Sequence, residues 1–241
     1  IIDESFVTAS NSHHSMEPRS AFSYWENGKC FLHGSSQSQS FMMPGLSRYL
    51  GIPAKDIVYV AEFCGGGFGS KGNPYPTMVL PAFMSKKIGR PCMHRITRAE
   101  EYYLGSARSG FQGNIKLGFA KNGRLIAADL YVVQQNGPNS GFPDLASAGS
   151  AVSLIYTPES MRWRGIPVMT NRPPCGAQRG PGQNQIAVIM EPLLDKAAKE
   201  LNVDRLEIRA INAPDHDTLY DGDQHGVTSS YLPEALAMGA E

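Results

Sequence analysis

The sequence has no net charge, because its 22 lysine and arginine residues are matched by 22 aspartate and glutamate residues. Without an excess of positive charge, the chain lacks the electrostatic attraction that draws proteins to nucleic acid or to anionic membranes. It also lacks any apolar run near the roughly 20 residues that a membrane-spanning helix needs. We therefore expect neither a nucleic-acid partner nor a membrane span.

Closely spaced metal ligands are lacking as well. The four cysteines show no C-x-x-C spacing, which argues against a zinc knuckle or an iron–sulfur cluster in this segment: Cys30, Cys64, Cys92 and Cys175. His13 and His14 stand near Glu17, but their spacing matches neither H-x-x-x-H nor a facial triad, so structural histidines are the better interpretation. We expect no metal bound by side chains, no disulfide framework, and a reducing compartment such as the cytoplasm.

Both ends of the sequence look cut. The chain begins at Ile1 without an initiator methionine or a signal peptide, and it stops partway along a helix predicted from near Leu232. We expect a piece of a longer polypeptide, with a first half at about residues 1–135 and a second half at about 136–241.

The glycine-rich run from Gly65 to Gly72 is the most distinctive stretch of the chain. It follows a strand-like run at 57–60 and precedes a helix-compatible run at 77–88. Four glycines around Phe68 permit positive φ angles and a close approach to a bulky group, and such a junction aims N–H groups at an anion. The spacing fits neither the P-loop nor the dinucleotide fingerprint. An ordinary tight turn and a ligand-binding turn both remain open.

Two hairpins and a short helix surround this run. The predicted strands are 21–25 and 29–33 around Asn27-Gly28, and 111–119 and 124–134 around Asn122-Gly123. After the first hairpin, Gln37 precedes an amphipathic helix with Phe41, Leu46 and either Tyr49 or Leu50 on one face.

A second turn, Arg179-Gly180-Pro181-Gly182, follows a strand predicted at 161–169. It opens a helix whose apolar residues recur at helical spacing between 186 and 201, and another short helix is predicted after Asp204. The segment 136–152 is rich in Gly, Ser, Pro and Ala and is predicted as a long loop that shapes a binding site. The sequence thus predicts an α+β fold of short mixed sheets, hairpins and packed helices, with two turns that converge on one ligand.

The order of these motifs resembles the molybdenum-binding subunit of the xanthine dehydrogenase/aldehyde oxidase family of molybdenum hydroxylases. The resemblance rests on Gly65–Gly69, on Gln37 ahead of a short helix, and on Arg179-Gly180-Pro181-Gly182 ahead of a long one. It extends to His14-Ser15-Met16-Glu17-Pro18 and to the helical run from Glu191 to Leu201, which is followed by Asp204, Arg209 and Asn212. It implies that the chain is part of a larger molybdopterin-binding domain.

The resemblance also implies a reaction. Family members insert oxygen from water into a C–H bond of an aldehyde or an N-heteroaromatic ring, using molybdenum held by a pyranopterin dithiolene. Electrons leave through two [2Fe–2S] clusters, usually to FAD, on partner domains or subunits. The pterin is often joined to a cytosine nucleotide in bacteria. The family's general base is a glutamate far towards the C-terminus, beyond Glu241, so the enzyme is expected to be incomplete without that part.

Carried over by resemblance, the site residues are as follows. Gln37 would hydrogen-bond an oxygen ligand of the metal, and Gly66, Gly67 and Gly69 would bring the backbone close to the cofactor. Phe68 would form a wall against a flat substrate, and Arg179 would face negative charge that develops on it. Gly180 would let the second turn approach the cofactor.

Two positions depart from the purine-oxidising members. Gly72 and Pro181 stand where those members carry a glutamate and an aromatic residue, so xanthine is an unexpected substrate. Carbon monoxide dehydrogenases carry a cysteine where this chain has Gly180, which argues against that activity. Two other classes stay open: a nucleotide- or phosphate-binding module without redox chemistry, and an inactive assembly subunit of the same family.

Overall fold

The computed structural model describes residues 1–139 and 142–240. The strands in chain order are β1 Ile2–Val7, β2 Asn11–Ser12, β3 Ser20–Glu26, β4 Lys29–Gly34, β5 Ile57–Val60, β6 Cys92–Arg95, β7 Ala107–Arg108, β8 Phe111–Phe119, β9 Leu125–Gln135, β10 Ser160–Val168, β11 Leu219–Tyr220 and β12 His225–Gly226. The helices are α1 Gln39–Leu50, α2 Pro76–Ile88, α3 Arg98–Leu104, α4 Asp144–Tyr156, α5 Gln183–Leu201, α6 Arg205–Asn212 and α7 Leu232–Gly239. Helices and short sheets of mixed direction confirm the α+β fold class.

The chain forms two compact units that interleave in sequence. We call the first the glycine-turn unit; it consists of Asn11–Arg108 and Asn171–Arg179. The second, the long-helix unit, consists of the described residues of Ile1–Ser10, Ser109–Thr170 and Gly180–Glu241. These bounds do not coincide with the expected halves at 1–135 and 136–241, because the chain returns to the glycine-turn unit late in the sequence.

The glycine-turn unit is built on a four-stranded sheet in the order β5-β4-β3-β6. β3 runs antiparallel to β4 and β6, and β4 runs parallel to β5. The hairpin predicted at Asn27-Gly28 is confirmed: Glu26 pairs with Lys29, and both turn residues have the positive φ that a type I′ turn requires. β4 leads to Gln37, and β5 leads through the glycine run into α2.

The first helix buries a face that only partly matches the prediction. Leu46 and Leu50 are buried as expected, but their companion is Met42. Phe41 and Tyr49 are 68% and 48% exposed. Residues four apart lie above one another on a helix, so the 42–46–50 row faces the sheet while its neighbours point outward.

The long-helix unit is built on a second four-stranded sheet, in the order β1-β8-β9-β10. The hairpin predicted at Asn122-Gly123 is confirmed by the antiparallel pair β8–β9, and β10 runs parallel to β9. α4 and α5 contribute to the core of this unit with residues that include Ala148, Val152, Ile186, Met190 and Leu194.

The prediction of a long loop at 136–152 is wrong in its second part, where α4 forms; residues 140 and 141 lie outside the described residues. The small residues that resembled a loop serve close packing. A Cβ added at Gly149 would lie 3.2 Å from the Trp163 ring, and Ala148 and Ala151 are buried. The segment from 144 onward is therefore a packed helix and no lid.

Within residues 1–139 and 142–240, no helix combines the length and the apolar character that crossing a membrane requires.

Candidate cofactor site in the glycine-turn unit

The glycine run forms an irregular turn between β5 and α2. Gly66 and Gly69 adopt φ angles of 100° and 115°, and Phe68 between them has φ 53°. A bulky residue with positive φ is strained by about 1–3 kcal/mol and persists only where its surroundings fix it. The Phe68 side chain is nevertheless 49% exposed. The surroundings of the turn thus hold the Phe68 backbone in a strained conformation while the Phe68 ring stays exposed.

Gln37 lies against this turn and is oriented by it. Its Oε1 accepts a hydrogen bond from the Gly69 N–H at 2.8 Å, and its own N–H donates to the Lys71 carbonyl at 3.2 Å. Since Oε1 is engaged, Nε2 is the outward group, and it donates to no group in the described part of the chain. A neutral N–H donor is thereby presented at the exposed side of the turn.

The glycines beside Gln37 leave little space for a side chain. A Cβ at Gly67 would lie 2.4 Å from Gln37 Oε1, and a Cβ at Gly69 would lie 2.1 Å from the Ala177 carbonyl oxygen. Gly72 is close to the same amide: its Cβ would stand 3.8 Å from Gln37 Nε2. The backbone therefore passes so near its neighbours that side chains at 67 and 69 would displace them.

The arginine loop, residues 171–179, meets the turn directly. The Arg179 N–H donates to the Phe68 carbonyl at 2.7 Å. The Arg179 side chain is exposed and forms no ion pair within residues 1–139 and 142–240. The expected neighbourhood of Phe68 and Arg179 is thus present within one unit, where their backbones are hydrogen-bonded to each other.

The rest of the arginine loop is anchored to β7. The Ala107 N–H donates to Pro174 O at 2.8 Å, and the Gly176 N–H donates to Ala107 O at 2.9 Å. The Arg108 side chain donates to Gln178 Oε1 at 2.8 Å and to Arg179 O at 2.7 Å. These bonds fix the loop on both sides of Ala177, the residue whose carbonyl lies against Gly69.

His13 lies next to Ala177 of the arginine loop, and the sequence predicted only a structural role for it. Its ring nitrogens lie 2.6 Å from Ser106 O and 2.6 Å from Ala177 O, and the residue is buried. Burial holds the pKa of His13 below its ordinary value, although both carbonyls favour the cation. Its place under Ala177 makes it part of the support of the arginine loop.

Gly180 and Pro181 belong to the long-helix unit. Gly180 and Gly182 have φ angles of 74° and 78°, and a Cβ at Gly182 would lie 2.1 Å from the Asp144 carbonyl oxygen. The Gln185 side chain accepts a bond from the Gly182 N–H at 3.1 Å and donates to Ser109 O at 3.1 Å. This turn is thus shaped by the start of α4 and the start of α5.

The sequence reasoning missed Lys71 and Arg19 as supports of the turn. Lys71 is fully buried within the turn and pairs with Glu17, and Arg19 donates to the Ser70 carbonyl at 2.7 Å. The sequence signal for the ion pair was Lys71 within the glycine run together with Glu17 in the motif His14–Pro18.

These residues fit a cofactor that brings its own metal ligands. Among the described residues, no group of three or more His, Cys, Asp or Glu side chains could hold a metal ion. The site offers instead a neutral amide donor, close-lying backbone without side chains, an exposed aromatic ring and one arginine. That set suits a bulky, polar, anionic group better than a bare ion.

Comparison with known proteins agrees with this geometry. A family model described as "Molybdopterin cofactor-binding domain" matches residues 1–213. The aldehyde oxidoreductase of Megalodesulfovibrio gigas is 30% identical over 215 residues, which are 88% of this chain and 24% of the relative. A putative xanthine dehydrogenase molybdenum-binding subunit of Escherichia coli strain K12 is 27% identical over 235 residues, 94% of this chain and 31% of the relative.

A solved structure shares the fold. The aldehyde oxidoreductase from Desulfovibrio gigas matches with a TM-score of 0.89 at 28% identity, over 98% of this chain and 26% of that chain. The present chain therefore spans about a quarter to a third of the length of these relatives. As the resemblance to molybdenum hydroxylase subunits predicted, the chain belongs to the molybdopterin cofactor-binding domain family.

Proposed function

We propose that this chain is a segment of the large subunit of a molybdenum hydroxylase. When bound, the molybdenum pterin would supply the oxygen-transfer and two-electron chemistry that hydroxylates an aldehyde or an N-heteroaromatic C–H with oxygen from water. The observation that carries the proposal is the 2.7 Å bond between the Arg179 N–H and the Phe68 carbonyl, which brings the arginine loop onto the glycine turn.

The residues of the turn would hold the cofactor. Gly66, Gly67 and Gly69 leave the backbone without side chains on the approach, and Gln37 offers Nε2 as a donor whose direction is set by the Gly69 N–H. A preoriented donor stabilises a polar ligand without the entropic cost of ordering at the moment of binding. Gly180 belongs to this proposed set as the first residue after Arg179.

Phe68 and Arg179 would act on the substrate. The exposed Phe68 ring would present apolar surface to a flat substrate. The Arg179 guanidinium would stabilise negative charge on the substrate during hydroxylation. Gly72 and Pro181 would bound the substrate without a carboxylate, which favours aldehydes or uncharged heterocycles over xanthine.

The remaining parts of the enzyme are proposed to lie outside these residues. They comprise the general base glutamate, the two [2Fe–2S] clusters and FAD on partner domains or subunits. A cytosine nucleotide on the pterin and the cytoplasmic location stay predictions. The relatives named above as aldehyde oxidoreductase and xanthine dehydrogenase subunit support the oxidoreductase assignment.

Metal and pterin analysis of the purified native holoenzyme tests the proposal. We expect about one molybdenum and one pterin per chain, and reduction of an artificial dye with at least one aldehyde or N-heterocycle from a panel. Enzyme from cells grown on tungstate is the control and should be inactive. A bound nucleotide without molybdenum would favour a phosphate-binding module, and a loaded enzyme inert on the whole panel would favour an assembly subunit; either result would contradict the proposal.

A further inference from the structure

Lys71 is a fully buried charged side chain within the glycine turn. Its Nζ donates to the Glu17 carbonyl and to Glu17 Oε2, both at 2.9 Å. An ammonium group without a partner is costly to bury, so Lys71 requires the Glu17 carboxylate that lies beside it. The pair joins the turn to a segment 54 residues earlier in the chain.

Glu17 in turn fixes the first glycine of the turn. Its Oε2 accepts a hydrogen bond from the Gly65 N–H at 2.8 Å, and its own N–H donates to Gly65 O at 3.1 Å. A Cβ at Gly65 would lie 2.5 Å from the Glu17 Cβ, so only glycine allows this approach. Both backbone groups of Gly65 are therefore bound to one residue.

The protonation state of Glu17 suits this role. Burial acts to raise the pKa of the Glu17 carboxyl, but the bonds from Lys71 and Gly65 outweigh it and the pKa is lowered. The carboxylate is consequently ionised at neutral pH. It can accept from the Lys71 ammonium and from the Gly65 N–H at the same time.

The other end of the turn is tied to the same segment. Arg19 donates from Nη2 to the Ser70 carbonyl at 2.7 Å, and its Nη1 forms a buried ion pair with Glu101. Residues 17–19 thus hold the turn at Gly65 and at Ser70–Lys71. The residues between these anchors, 66–69, are those proposed to face the cofactor.

We propose that Glu17 is a positioning residue of this site: held by Lys71, its carboxylate sets Gly65 and thereby preforms the turn for the molybdenum pterin. The inference rests on the proposed function, and it concerns how the turn is made ready. A turn held in its binding conformation loses less entropy when the cofactor binds, so the carboxylate strengthens loading without touching the cofactor.

The test compares three variants in the native holoenzyme. Glu17→Ala removes the carboxylate, and Glu17→Gln keeps an oxygen that can accept from the Gly65 N–H. Glu4→Ala is the matched control, because Glu4 also pairs with a lysine, Lys196, and its side chain is 41% exposed against 34% for Glu17. Glu4 makes no hydrogen bond to the turn in the described part of the chain.

Three quantities are measured on each variant: molybdenum per chain, amide hydrogen exchange in peptides that cover residues 65–69, and the melting temperature. For Glu17→Ala we expect about tenfold less molybdenum under limiting cofactor and about tenfold faster exchange at 65–69, as the loss of a charge-assisted bond implies. Glu17→Gln should recover part of both, because its oxygen can still accept from the Gly65 N–H while the buried Lys71 ammonium loses its counter-charge. Glu4→Ala should match the wild type.

The contradicting outcomes are distinct. Wild-type loading and unchanged exchange at 65–69 in Glu17→Ala would overturn the inference. So would faster exchange spread evenly over the whole unit without concentration at 65–69, since that result shows general destabilisation. A wild-type enzyme without molybdenum would overturn the proposed function instead, while the exchange measurement would still decide whether Glu17 shapes the turn.

Discussion

The two turns of this molecule use glycine for different reasons. In the glycine turn, side chains at positions 67 and 69 would strike Gln37 and the Ala177 carbonyl, which are parts of the proposed cofactor site. In the second turn, a side chain at position 182 would strike the Asp144 carbonyl at the start of α4. The first requirement belongs to the site and the second to the packing of the long-helix unit.

The supports of the turns differ in the same way. The glycine turn is held by Glu17, which pairs with Lys71 and binds Gly65, and by Arg19, which pairs with Glu101 and donates to the Ser70 carbonyl. The second turn is held by the Gln185 amide, which bridges Gly182 and Ser109. Changes in the glycine turn should therefore appear in cofactor loading and turnover, and a change at Gly182 should appear in stability.

The largest effect is expected for Gln37→Ala. The variant removes the oriented Nε2 donor, and the loss of one preorganised donor typically slows turnover by about 100-fold. The melting temperature should stay near wild type, because Gln37 is exposed, and turnover is expressed per bound molybdenum so that lost cofactor is not counted as slower chemistry. Gln39→Ala, an exposed glutamine at the first position of α1, is the control and should be fully active; a fully active Gln37→Ala would remove Gln37 from the site.

The next effect is expected for Gly69→Ala. Its φ of 115° strains any other residue, and its Cβ would lie 2.1 Å from the Ala177 carbonyl, so the arginine loop must move away. A strain of about 2 kcal/mol corresponds to roughly 30-fold weaker loading, read as molybdenum per chain. Gly51→Ala is the control, because Gly51 also has positive φ but an added Cβ would meet no atom within 4 Å. It therefore reports backbone strain without a steric clash. Equal loading in both variants would contradict the placement of the loop.

Gly182→Ala completes the comparison from the other turn. A Cβ there would meet the Asp144 carbonyl, and we expect the free energy of unfolding to fall by about 1–3 kcal/mol. The folded fraction should load molybdenum as the wild type does. Calorimetry gives the folded fraction and metal analysis gives the molybdenum bound to it. A loss of molybdenum per folded chain would show that Gly182 serves the cofactor site as well as packing.

The smallest effect concerns pH. Because burial lowers the pKa of His13 in the folded chain, the unfolded chain binds the proton first on acidification. The His13 contribution is therefore present above pH 6.5, the ordinary value, and is lost as pH falls below it. His13→Gln should flatten that part of the stability profile measured by denaturant unfolding. An unchanged slope would show that His13 does not titrate differently on folding.

Local signals were the reliable part of the sequence. Asn27-Gly28 and Asn122-Gly123 set their hairpins by themselves, because each dipeptide supplies the positive φ of its turn. The glycine turn and the arginine loop were recognised from residue types and order. The sequence predicted that they come together, and the fold adds the contact itself, between the Arg179 N–H and the Phe68 carbonyl.

Non-local contacts account for what the sequence did not reveal. The burial of Lys71 depends on Glu17, 54 residues earlier, and no local pattern encodes that distance. Most of α4 was predicted as a loop because the segment 136–152 is rich in Gly, Ser, Pro and Ala and has few charges. The purpose of these small residues appears only when Gly149 packs against Trp163.

Molybdenum content of Gly67→Val beside the wild type tests the central claim most directly. A Cβ at Gly67 would lie 2.4 Å from Gln37 Oε1, and valine would push its branches into the space proposed for the pterin. The account predicts about one molybdenum per wild-type chain and close to none in the folded variant. Full occupancy in Gly67→Val would show that this turn does not hold the cofactor.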